Sequence, residues 1–262
     1  MIMSKEYLFE MFGTFFFTLI GTGCVAANVL TNGHFGQSEM AFCWGSAVAI
    51  AIYLCSSSSD CHFNPAFTIA SYLFMGFKKE KVIPYITWQF VGGGISALII
   101  YLAYRNLIKN YIGTPIHAFD FLTSSTLQGM RVARIFSTYP YPGVGYFNAF
   151  LVEFFITGLL FFCANKINYN QNIHTLLKPA LIGFVIFLIG SSFGPLTAYA
   201  MNPARDLLPK VFLYLLGYGT TVLTGGFFLP YIFVPIIGPL LGSLAGAMIF
   251  IKSQKTAQSL SL

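Results

Sequence analysis

The chain has 262 residues, of which 56% are hydrophobic and 18% aromatic, with a mean hydropathy of +0.72. Charged residues make up 8%, against about a quarter in a soluble globular domain, which excludes a water-soluble fold and points to a lipid bilayer. The net charge of +6 is scattered over short segments with no basic face or arm, and the five cysteines lie in or beside apolar runs without ligand spacing, so a nucleic-acid partner, a disulfide framework and a zinc site are excluded too.

The first apolar run, about Tyr7 to Ala27, follows Lys5 and passes through the small residues Gly21-Thr22-Gly23-Cys24, as a cleavable signal would. It is interrupted by Glu10 and goes on to a spanning length, so it reads as a retained helix. Met40 to Ser56 is a second, shorter span. Pro65 to Phe77 is an apolar piece too short to cross, and it opens with N-P-A. Val82 to Tyr104 is the third span, followed by a loop over 105–146. Phe147 to Asn165 and Leu177 to Phe193 are the fourth and fifth. Pro203 to Leu216 is a second short piece opening with N-P-A, and Tyr231 to Ile251 is the sixth span, ahead of a tail at 252–262. Short apolar helices between full spans read as re-entrant half-helices, tolerated at membrane depth only where protein or a water-filled cavity satisfies the backbone.

The halves repeat. Glu10 lies in the first span and Glu153 in the fourth, and each half runs acid-bearing span, span, N-P-A half-helix, span. Three spans per half make the second copy start on the opposite face, so the repeat is inverted. The expected fold is an all-α polytopic membrane protein with six transmembrane helices and two half-helices in a 3+3 inverted repeat. It is one channel domain over 1–262, with repeat 1 at about 7–104 and repeat 2 at about 147–251. With the ends cytoplasmic, that side carries Lys5, Lys78, Lys79, Lys81, Lys166, Lys178, Lys252 and Lys255, against Arg105, Lys109, Arg131 and Arg134 opposite. The excess of basic residues therefore puts both termini in the cytoplasm.

Inversion brings the two helix starts Asn64-Pro65-Ala66 and Asn202-Pro203-Ala204 together near the midplane, where each N-terminus carries about +0.5 of an elementary charge. With their oxygens on the caps, the two Asn side chains keep NH2 groups free to donate to a passing hydroxyl. The residues before each cap, Asp60-Cys61-His62-Phe63 and Ala198-Tyr199-Ala200-Met201, are expected to be extended and to offer a ladder of backbone carbonyls. The ring of His62 could equally brace the loop. Arg205, one turn into the second half-helix, is costly at membrane depth unless it is paired or faces water, so it is a functional candidate that would offer donors at a constriction, the alternative being an internal ion pair. Asp206 stands four residues before Lys210, the spacing of a helical ion pair. Glu10 and Glu153 would accept backbone N–H groups of the re-entrant loops or, in a transporter, carry protons.

From Glu10 to Ile251 the chain resembles the major intrinsic protein (aquaporin) family, and within it the aquaglyceroporin branch. The resemblance rests on both N-P-A boxes, F-G-Q at 35–37, W-G at 44–45, F-S-T-Y-P at 136–140, G-P-L-T at 194–197 and, above all, A-M-N-P-A-R-D at 200–206. It implies a passive pore for glycerol, related small uncharged polyols and some water, without cofactor, metal or catalysis, in a bacterial inner membrane and as a homotetramer with one pore per subunit. It also implies an outer filter of Trp44, Gly190, Tyr199 and Arg205. Asp206 fits the glycerol-conducting members, and Gly190 leaves room where water-selective members tend to carry His. Three residues depart from the branch pattern: Tyr199 replaces a usual Phe, and Asp60 and Ala198 each replace a usual Gly.

Two other readings compete. A water-selective channel is disfavoured by Gly190 and Asp206, and a coupled transporter needs an acid in the pathway. No nucleophile, base and orienter set supports an enzyme.

Overall fold

The computed structural model describes residues 4–31, 33–112 and 127–260, so the expected 105–146 loop falls outside them at 113–126. The chain forms α1 (Lys5–Leu30), α2 (Gln37–Cys55), α3 (Pro65–Phe74), α4 (Lys79–Ile112), α5 (Leu127–Phe136), α6 (Tyr146–Tyr169), α7 (Lys178–Thr197), α8 (Pro203–Leu213), α9 (Thr221–Thr224) and α10 (Val234–Leu260). Helices α1, α2, α4, α6, α7 and the region of α10 are long and apolar enough to cross a membrane. The short α3 and α8 are the two half-helices.

The packing is symmetric under exchange of the halves. α1 packs on α4 as α6 packs on α10, and α2 pairs with α7 across the pseudo-two-fold. Each half-helix lies on the last span of the other half, α3 on α10 and α8 on α4. These crossings demand glycine. A Cβ on Gly45 of α2 would sit 2.3 Å from the Gly183 carbonyl of α7, and one on Gly93 of α4 would sit 2.3 Å from the Ala204 carbonyl of α8. Backbones in contact are how helices associate where no hydrophobic effect drives them together.

Several boundaries differ from the sequence expectation. α3 stops at Phe74 because Gly76 takes a left-handed φ of 76°. α8 gives way at Tyr214 to a wider turn that ends on Gly217, with φ 89°. α4 runs on to Ile112, well past the expected Tyr104, because Ile108 and Ile112 are buried against Val132, Ile135 and Phe136 of α5. At 34 residues α4 is about 51 Å long and stands clear of a hydrocarbon core of about 30 Å.

Candidate functional site

Both half-helices begin in the same way. The Asn64 Oδ1 accepts from Ala66 N at 3.0 Å, and the Asn202 Oδ1 accepts from Ala204 N at 2.9 Å and Arg205 N at 3.4 Å. Pro65 and Pro203 fill the first helical position, where a missing N–H costs nothing. The two starts are also laced together, because Asn64 Nδ2 donates to Met201 O and Asn202 Nδ2 donates to Phe63 O, each at 2.8 Å. The amides are therefore not wholly free. One N–H of each is used in the tie and the other remains.

Each re-entrant loop hangs from a buried carboxylate. Glu10 accepts from His62 N at 2.9 Å, Phe63 N at 2.7 Å and Gln89 Nε2 at 2.7 Å. Glu153 accepts from Ala200 N and Met201 N, both at 2.9 Å, and from the Thr197 hydroxyl at 2.6 Å. Both acids are fully buried, away from the cavity wall.

This bracing decides where the carbonyls go. In a trans peptide the C=O of one residue opposes the N–H of the next. With the N–H groups of His62 and Phe63 turned to Glu10, the carbonyls of Cys61 and His62 turn the other way, and those of Tyr199 and Ala200 do the same opposite Glu153. The loops are not extended throughout, since Cys61, Phe63, Tyr199 and Met201 have φ between 40° and 52°. A left-handed residue at alternate positions removes the side-to-side alternation of a strand. Phe63 O and Met201 O already accept from the crossing Asn amides, and Ala198 is the left-handed cap of α7, off the cavity wall. The ladder of available carbonyls is thus shorter than the expected eight residues.

His62 is fixed on three sides. Its ring lies 4.7 Å from that of Phe77 and 5.5 Å from that of Tyr85, and its Nδ1 is 3.2 Å from Thr68 Oγ1. That hydroxyl donates to Asn64 O at 3.1 Å and accepts from Gln89 Nε2 at 3.0 Å, so His62 Nδ1 is the donor to it.

At the far end, the Arg205 guanidinium carbon sits 4.6 Å above the Trp44 ring, and its Nη1 is 3.7 Å from Asp206 Oδ2, beyond hydrogen-bond range. Nη1 is buried out of reach of the cavity and makes no hydrogen bond, so it is the rest of the guanidinium that Arg205 presents to the cavity it lines. Asp206 is occupied elsewhere. It accepts from Thr138 N and the Thr138 hydroxyl, both at 2.6 Å, and it pairs with Lys210, whose ammonium is fully buried, donates to Thr138 O at 2.8 Å and lies 4.5 Å from the Tyr139 ring. Gly190 is not on the cavity wall. A Cβ there would meet the Tyr199 ring at 3.1 Å and Ala41 Cβ at 2.9 Å, so its smallness seats the Tyr199 ring.

A cavity of about 630 Å³ joins these parts. Asp60, Lys78, Lys81 and Asn168 line one end, Asn64 and Asn202 the middle, and Trp44, Tyr199 and Arg205 the other end. Pro65, Ala66, Pro203 and Ala204 lie behind the wall as the first residues of the half-helices. Sequence reasoning missed Gln89, Thr68, Thr197 and Thr138, which hold the braces. A lone amide in an apolar span marks Gln89 as a polar group needing partners; Thr138 and Thr197 stand in the F-S-T-Y-P and G-P-L-T stretches without any sign of what they bond, and Thr68 carries no signal at all.

The departure at Asp60 also has its explanation. Asp60 is not among the positive-φ residues, so a side chain costs no backbone strain there. The Tyr85 hydroxyl donates to Asp60 Oδ2 at 2.8 Å and accepts from Asp60 N at 3.4 Å.

The family profile of the major intrinsic proteins matches residues 1–250. The glycerol uptake facilitator protein of Haemophilus influenzae is 42% identical over 246 residues, covering 93% of this chain and 91% of its own. The propanediol uptake facilitator of Salmonella typhimurium is 39% identical over 243 residues, covering 92% and 90%. The X-ray structure of the aquaglyceroporin from Plasmodium falciparum superposes with a TM-score of 0.78 at 27% identity, over 94% of each chain. A profile match over nearly the whole length, and two bracing acids under two laced helix starts, lead to one conclusion: the chain belongs to the major intrinsic protein family.

Proposed function

We propose that the protein is a passive channel through which glycerol and related small uncharged polyols, with some water, diffuse down their gradients. The reading places it in a bacterial inner membrane with both termini cytoplasmic, as a homotetramer with one pore per subunit and with 1–262 as a single channel domain. The observation that carries it is the cavity running from Lys78 and Lys81, past both N-P-A asparagines, to Arg205.

The named parts divide the work. Trp44 and the Tyr199 ring form an apolar wall for C–H groups, while Arg205 donates to hydroxyl oxygens. The carbonyls of Tyr199, Ala200, Cys61 and His62 accept hydroxyl protons, and the second N–H of Asn64 and Asn202 donates at the midplane. A polyol exchanges water's hydrogen bonds for these in steps, so no step leaves a polar group unpaired. Cations meet two positive helix ends and a guanidinium, and are repelled.

A coupled transporter is disfavoured because Glu10 and Glu153, the acids inside the spans, spend their oxygens on the loops and do not line the cavity, which leaves Asp60 as a single carboxylate at one end. Tracer glycerol uptake into proteoliposomes discriminates the two. The passive reading expects a rate unchanged by a protonophore and by collapsing any ion gradient; a rate that falls with either sinks it.

A further inference from the structure

The cavity wall carries an imbalance that the hydroxyl ladder does not explain. Its interior is positive, from two half-helix N-termini and the Arg205 guanidinium, and Lys78 and Lys81 add two ammonium groups at one mouth. Such a field repels cations and draws small anions inward. The Lys81 charge is offset by its ion pair with Glu6, which leaves Lys78 at the mouth. Among the lining residues Asp60 is the one carboxylate.

Asp60 is held for that position. It is exposed to the cavity, Tyr85 fixes its Oδ2 at 2.8 Å, and Tyr85 is itself fully buried between Phe77 and His62. Oδ1 makes no bond to the protein among the described residues and is open to the mouth. A carboxylate only accepts. A neutral polyol can donate a hydroxyl to it, whereas a carboxylate or phosphate ester has like charge and cannot enter on the same terms.

We infer that Asp60 is a specificity-determining residue of the mouth it shares with Lys78 and Lys81, admitting neutral polyols and rejecting their small anionic counterparts, the oxidised or phosphorylated forms. The inference rests on the channel reading above. Asp60 thereby complements Arg205: one end of the cavity presents a donor that repels cations, and the other an acceptor that repels anions.

The test uses glycerate, the carboxylate analogue of glycerol, as a competitor on both sides of proteoliposomes made with the full chain. Glycerol flux is followed at rising glycerate and normalised to each variant's own flux without it. Wild type is expected to be insensitive. Asp60→Asn and Asp60→Gly are both expected to lower the inhibiting concentration about threefold or more, and Asp60→Glu to restore insensitivity. The contrast between wild type and Asp60→Asn should shrink at about 1 M salt, where the Debye length is about 3 Å. Tyr85→Phe keeps the charge and is expected to stay insensitive, which separates the field from mere packing. The inference is overturned if Asp60→Asn and Asp60→Gly resist glycerate like wild type, or if Asp60→Glu becomes as sensitive as Asp60→Asn. A wild type that passes no glycerol would instead remove the channel reading itself.

Discussion

At the residue scale, the site is a set of buried polar groups each held by a named partner. Glu153 satisfies two backbone N–H groups and one hydroxyl in a fully buried position. Glu153→Ala leaves all three unpaired, at about 1–3 kcal/mol each, and is expected to unfold in detergent well below wild type. Glu153→Gln keeps one acceptor oxygen and is expected to fall between them. Equal melting temperatures for Glu153→Ala and wild type would contradict the bracing role. Arg205 holds its guanidinium against Trp44. Arg205→Ala removes the guanidinium charge, and cation leak through proteoliposomes should rise about tenfold or more, since even a partly desolvated unit charge at 4 Å is worth several kcal/mol; an unchanged leak would place the cation barrier elsewhere. Much at this scale was legible: N-P-A twice, Glu10 and Glu153 once per half, and Asp206 four residues before Lys210 all stood out against apolar surroundings. The left-handed turns at Cys61, Phe63, Tyr199 and Met201 were not. None is glycine, and it is the N–H bonds that these loops make to Glu10 and Glu153, 47 to 53 positions away in the chain, not local preference, that hold them.

At the element scale, the half-helices are positioned by close backbone contact with the opposite half. Gly93→Ala drives a Cβ to 2.3 Å from the Ala204 carbonyl, so α8 and Arg205 with it must shift. Overpacking of this kind costs about 1–3 kcal/mol. Glycerol flux is expected to fall severalfold, while Gly145→Ala, whose Cβ meets nothing within 4 Å, should leave flux and stability near wild type. If the two variants behave alike, the α4–α8 contact does not set the pore. The existence and order of the spans could be read from hydropathy, because bilayer thickness fixes a minimum apolar length. Their ends could not: α4 extends to Ile112 only because α5 covers Ile108 and Ile112, a contact between elements separated by the loop. Gly190 shows the same limit. Its small size was visible, but its use as the seat of the Tyr199 ring appears only when α7 and the second loop meet.

At the scale of the whole molecule, the inverted repeat explains why two short helices meet end to end in one cavity. Each is capped by its own Asn, hung from its own Glu and laced to the other's loop. The outward faces carry many exposed large hydrophobics, including Phe42, Ile83, Phe147, Leu215 and Met248, as lipid or neighbouring subunits require. The proposed homotetramer with independent pores predicts that the reconstituted protein migrates as a four-chain particle, and that mixing in a closed-pore subunit lowers flux in proportion to its share. A steeper fall would mean that the pores are coupled. The most direct measurement is stopped-flow light scattering of proteoliposomes after an osmotic step, once with an impermeant solute and once with inward glycerol. A passive glycerol channel predicts rapid shrinkage followed by reswelling in glycerol far faster than in empty vesicles, unaffected by a protonophore. Rapid shrinkage with no faster reswelling would contradict it, and would mean that the Trp44, Tyr199 and Arg205 end passes water but not carbon.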